Sequence, residues 1–134
     1  MSTEGVVVGG WPAPKGYSNG RVGRGAVLHV AGQIGWEPDG TFVAKDLLSQ
    51  FAKALSNVIE VVHAARGKVS DIAEMTVYVT DIQAYREARK ALGPIWKQHM
   101  QGHFPAMALV GVDELVEEEA LVEIQAVAYL EHPE

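Results

Sequence analysis

Glu123 stands near the middle of a C-terminal segment, Ala120 to Leu130, that alternates apolar side chains with others. A carboxylate held there on an occluded face loses its hydration, which favours the neutral form and suits it to accept and return a proton near neutral pH. The same position also suits a carboxylate paired with a partner across an interface, and position alone leaves both readings open. Gln125 on the same segment and Gln33 near a Gly-rich turn are amides able to orient a water or a ligand carbonyl, as well as ordinary buried structural amides. Tyr17, in a loop between Gly16 and Gly20, offers a ring to stack on a ligand and a hydroxyl to bond it. Its other reading is a loop anchor. Trp36, just after Gly32-Gln33-Ile34-Gly35, is placed to wall a pocket or to fill a gap. His99 and His103 have the i, i+4 spacing of helical metal ligands, but Gly102 weakens a helix there and no third ligand is in view, so no metal site is assigned.

Several chemistries are excluded. The chain has no cysteine, which removes thiol nucleophiles, disulfides and cysteine zinc sites and suits a reducing compartment. Neither a Gly-x-Ser-x-Gly elbow nor a phosphate-cradling Gly-x-x-x-x-Gly-Lys loop occurs. The formal charge is −6 and the basic residues are scattered, so no stripe exists to track phosphates and no nucleic-acid partner is expected. No apolar run is long enough to span a bilayer, and the start, Met1-Ser2-Thr3-Glu4-Gly5, lacks the regions of a signal peptide. No membrane partner and a cytoplasmic location are the expectation.

The elements that must position these residues follow from periodicity. At 134 residues and 48% hydrophobic content, one domain over 1–134 with a single core is expected, needing neither metal nor disulfide. A short strand is expected at Val6 to Val8, then a Gly/Pro-rich loop, a strand over Ala26 to Ala31, and a turn at Pro38-Asp39-Gly40. From Asp46, an N-cap, apolar residues at Leu47, Leu48, Phe51, Leu55, Val58, Ile59 and Val62 line one helix face, with Gly67 as C′ residue. Ile72 to Thr80 alternates as a strand. Asp81 caps a second helix with Tyr85, Ala88, Leu92, Ile95, Trp96 and His99 inward, and Pro94 predicts a kink or two abutting pieces. Strands at Ala106 to Val112 and Ala120 to Leu130 flank the acidic, solvated run Asp113 to Glu119. In the last strand Val122, Ile124, Ala126, Ala128 and Leu130 form an apolar face for the helices. The other face is apolar enough that cover by another subunit is expected. The fold class is α+β, a sandwich with both helices on one side of a mixed sheet.

Pro14-Lys15-Gly16-Tyr17-Ser18, Val30-Ala31-Gly32-Gln33-Ile34, Gln50 with Asn57, Val77 to Asp81, Phe104-Pro105-Ala106 and Leu121 to Ala128, in this order and spacing, resemble the RidA/YjgF family of small deaminases from about residue 12 onward. The resemblance implies a chorismate-mutase-like fold and a homotrimer whose sheets form a central β-barrel, with three clefts between subunits. It also implies hydrolysis of reactive enamines or imines to ammonia and a 2-keto acid without a cofactor. In the family an arginine directly after Phe-Pro-Ala pairs with the substrate carboxylate, and the glutamate of the last strand positions the attacking water. The glutamate is Glu123 and the family's cleft tyrosine is Tyr17, but the arginine position is Met107. A thioether cannot form the bidentate pair of a guanidinium. The function implied is therefore deamination of an enamine, imine or unsaturated amino acid unlike the 2-iminobutanoate and 2-iminopropanoate of typical members, the substrate being a small organic acid. The alternative is a non-catalytic metabolite-binding or regulatory protein. Arg89 aligns with a cleft asparagine of the second helix, where it either supplies a cation or lies on the surface. The implied site is catalytic Glu123 with Tyr17, Gln33, Ile34, Trp36, Arg89, Pro105, Ala106 and Met107 around the substrate.

Overall fold

Two crossovers in one direction decide the architecture. The computed structural model describes residues 2–42 and 44–131. Strand β3 (Ala26–Gln33) leads through helix α1 (Leu47–Ala64) to β4 (Ile72–Val79), and β4 leads through α2 (Ile82–Met100) to β5 (Ala106–Gly111); β6 (Val122–Leu130) closes the sheet. The sheet order is β3-β6-β4-β5. β6 runs antiparallel to both β3 and β4, and β5 runs parallel to β4. β3 is thus parallel to β4, and the chain moves across the sheet the same way in both crossovers. One handedness of crossover then puts both helices on one face, and α1 packs on β3 and β6 and against α2.

The period-two patterns divide the sheet into two faces. Met75, Val77 and Val79 of β4 and Val122, Ile124, Ala126 and Ala128 of β6 are buried against Phe51, Ala54, Leu55, Val58 and Val62 of α1. Their alternates, Glu74, Thr76 and Tyr78 with Glu123, Gln125, Val127 and Tyr129, lie half-buried or exposed on the helix-free face, as does Val27 at 48% exposure. Both helix starts are as expected. Asp46 accepts from Ser49 N–H at 3.0 Å, and Asp81 from Ala84 N–H at 3.0 Å. Buried Gln50 joins the ends of two connections: its Nε2 donates to the carbonyls of Ala44 and Glu119, and its Oε1 accepts from Leu121 N–H.

Three expectations are corrected. The strand expected at Val6 to Val8 lies earlier: β1 (Thr3–Gly5) pairs with β2 (Arg21–Gly23), while Val7 is 92% exposed. Thr3, fully buried, decides this by donating to Ser70 O and accepting from Arg21. At the end of α1, the left-handed residue is Arg66 (φ 66°), not Gly67. Arg66 N–H bonds His63 O and Gly67 N–H bonds Val62 O, a Schellman ending. Gly67 is needed for space instead, since a Cβ there would stand 2.7 Å from Leu130 Cδ2. Finally, of the two outcomes expected at Pro94 the abutting pieces do not occur, since α2 is one helix through it. Gly93 assists, because a glycine before proline has no Cβ to crowd the ring.

Candidate functional site

The surroundings of Glu123 are built by a β-bulge. Val30 pairs with Ala126, but Gln33 pairs with Ile124, so β3 carries one residue more than β6 between these points. The extra length, at Ala31 and Gly32, brings the backbone of Gly32 against the Glu123 side chain. A Cβ at residue 32 would fall on the carboxylate, 2.7 Å from Cδ and 2.9 Å from Cγ. Gln33 Nε2 turns back to the Ala31 carbonyl at 3.1 Å, spanning the bulge. Beyond it, Asn57 of α1 donates from Nδ2 to the carbonyls of Ile34 and Trp36, both at 3.0 Å, fixing that segment to the helix layer. Ile34 is buried, whereas Trp36 is exposed and lines, with Gln33, Lys53, Asn57 and Glu60, a cleft of about 580 Å³. On the other flank, Glu123 is opposite Tyr78 in the strand pairing, and the Tyr78 hydroxyl donates to Gln125 Oε1 at 2.9 Å. Gln125 is thereby engaged, while Glu123 has no hydrogen-bond or ion-pair partner among the described residues.

A second group gathers at the edge strand. Ser18 N–H donates to Pro105 O at 2.9 Å, its hydroxyl bonds Phe104 O, and Ser18 bridges Ala106, so the glycine-rich loop is stapled onto the Phe104-Pro105-Ala106 segment. Tyr17, exposed, thereby lines a cavity of about 290 Å³ with Ala106 and Met107. Met107 pairs with Met75 on the helix-covered face, whereas Glu123 pairs with Tyr78 on the open face. Within one protomer Met107 and Glu123 therefore lie on opposite faces of the sheet. Arg89 is exposed; its charge opposes the upward push that burial exerts on the Tyr85 hydroxyl, one turn earlier. Arg89 does not line either cavity bordered by Met107, and the cation that does is Lys97.

His99 Nδ1 lies 2.9 Å from Ile95 O and His103 Nε2 2.6 Å from Ile72 O, so each ring is committed to a backbone carbonyl. Among the described residues no group of three or more metal-ligating side chains occurs.

The family described as Endoribonuclease L-PSP matches residues 11–130. The chain belongs to this family, the RidA family. The 2-iminobutanoate/2-iminopropanoate deaminase of Salmonella typhimurium is 33% identical over 80% of this chain and 82% of its own length. Among solved structures, a conserved Rid family protein of Yersinia pestis superposes with TM-score 0.82 at 28% identity, covering 97% of this chain and 100% of that one. TdcF of Escherichia coli, solved with bound serine, gives TM-score 0.69 at 29% identity over 95% of this chain and 98% of its own.

For this RidA-family chain, sequence reasoning did not single out Gly32, whose missing side chain admits the Glu123 carboxylate, nor Lys97 on the Met107 cavity. The Gly32 signal exists only once β3 and β6 are paired across the bulge. One pH effect follows from the fold. Burial holds the pKa of His103 below the usual histidine value, with Arg21 acting the same way and the Ile72 carbonyl and Asp71 opposing. A histidine that binds its proton more readily unfolded stabilises the fold fully above its unfolded pKa of about 6.5. That contribution is lost as pH falls through the lower folded value. The melting temperature should accordingly fall more steeply below about pH 6.5 than in His103→Gln, whose amide can still reach Ile72 O. Identical slopes would show that His103 is not the group responsible.

Proposed function

We propose that the protein is a cofactor-free hydrolytic deaminase of an enamine or imine derived from a small organic acid, working in clefts formed where copies of the chain meet. The observation that carries this is the Glu123 carboxylate: seated on Gly32 at a bulge, half-buried on the helix-free face, and without a partner among the described residues. On this reading water adds to the carbon of the protonated imine as Glu123 takes one of the water's protons, giving a neutral carbinolamine. Return of that proton to nitrogen makes ammonia the leaving group, and the C–N bond breaks as the carbinol hydroxyl gives its proton to Glu123, releasing ammonia and a 2-oxo acid. That Glu123 and Met107 lie on opposite faces of one protomer's sheet supports completion of the cleft by a neighbour. The partly apolar open face, including Val27 and Val127, supports a homotrimer closed around a β-barrel. The naming of the Salmonella relative and the serine bound to TdcF support a small amino-acid-derived substrate. The net charge of −6 argues against RNA as the substrate.

Met107 sets this chain's substrate apart from 2-iminobutanoate and 2-iminopropanoate, since a thioether offers the carboxylate no charge. Ammonia release from imines generated in place from a panel of amino acids tests the reading. Met107→Arg is expected to raise turnover of 2-iminopropanoate by about tenfold or more, in keeping with a regained charge-assisted pair. Binding of the 2-oxo acids with no ammonia from any imine would instead establish a metabolite-binding protein, the reading that the loss of the cation favours.

A further inference from the structure

Met107 borders a second cavity, of about 480 Å³, between α2, β5 and α1, a size within the roughly 300–1,000 Å³ of small-molecule sites. Its wall is mainly apolar, with Leu92, Trp96, Phe104 and Leu109 around Met107. Part of that wall is fixed in advance. Trp96 and Phe104 stack with centroids 6.3 Å apart and planes 7° from parallel, and Trp96 Nε1 donates to His103 O at 3.2 Å. Yet Phe104 remains 37% exposed, an aromatic surface with room beside it. Gly93 of α2 also lines the cavity, and a Cβ there would meet nothing within 4 Å. Pro94 explains the glycine locally, but the consequence is a helix position that presents empty space to an aromatic wall. One charged residue, Lys97, lines the same cavity and is itself exposed, so its ammonium belongs to the mouth. Met107 is the residue that borders both this cavity and the one lined by Tyr17.

We propose that this cavity receives the apolar side chain of the compound acted on, an aromatic or branched aliphatic 2-imino acid, whose carboxylate stays at the mouth against Lys97. A flexible lysine supplies a point charge where the bidentate arginine is missing. An apolar group entering a preformed space displaces little ordered structure, and the imine carbon is left beside the carboxylate, where a neighbouring copy brings Glu123. The proposal rests on the deaminase reading for the reacting end alone, since the matching 2-oxo acid binds without turnover.

Calorimetric titration of the whole protein with phenylpyruvate and with pyruvate tests it. Phenylpyruvate is expected to bind about tenfold or more tightly, as burial of a phenyl group implies. Gly93→Leu should remove that preference by occupying the space, and Lys97→Gln should weaken phenylpyruvate about tenfold while leaving 3-phenylpropanol unchanged. Equal affinity for the two acids, or a preference that survives in folded Gly93→Leu, would overturn the proposal. Should Gly93→Leu not fold, the Lys97→Gln comparison decides. Ammonia release measured in parallel separates the two readings: preference without release keeps the cavity assignment and removes deamination. Release from small imines without preference does the reverse.

Discussion

Glu123→Gln is expected to lower ammonia release from the best imine by roughly 10²–10⁴-fold, the usual worth of a positioned general base. Glutamine keeps the shape and a hydrogen-bonding oxygen, so it holds water in the same place and loses only the capacity to take its proton. The fold should not notice. Glu123 has no partner among the described residues to be orphaned, and its strand neighbours Val122 and Ile124 are buried independently of it. The melting temperature of the variant should therefore match that of the parent. A rate within about threefold of the parent, well short of a general base's contribution, would remove Glu123 from the chemistry and leave an interface carboxylate.

The face on which Glu123 lies was legible because strand periodicity is strict. In β6 the apolar alternates are all buried, and a shift of one residue would have turned all of them outward. The helix starts were legible for a local reason too, since Asp46 and Asp81 cap within three residues of themselves. What was illegible depended on partners far along the chain. Thr3 forms a strand in preference to the valine run because of bonds to Ser70 and Arg21. Gly67 is required by Leu130 and not by its own backbone angle. The candidate site divides the same way. Motifs picked out Tyr17, Ala106, Met107 and Glu123, but not that Met107 and Glu123 occupy opposite faces of one sheet, nor that Lys97, not Arg89, lines the Met107 cavity.

Gly32→Ala is expected to cost nearly as much activity as an altered catalytic group while sparing stability. Gly32 has no left-handed backbone angle, so alanine is allowed there. The only trouble is its Cβ, which would meet the Cδ and Cγ of Glu123 at 2.7 and 2.9 Å. Between a backbone fixed by the bulge and a flexible side chain, the side chain yields, and turning to another rotamer costs about 1 kcal/mol. The carboxylate then moves by an ångström or more, and a misplacement of about 1 Å can cost about 10²-fold in rate. Turnover should thus drop by about that factor with a melting point within a few degrees of the parent's. Since Gly32 acts only by positioning Glu123, the two changes cannot add. In the Glu123→Gln background, Gly32→Ala should lower the residual rate by less than about threefold. Full additivity in that cycle would mean that the bulge serves the site in some way other than seating the carboxylate.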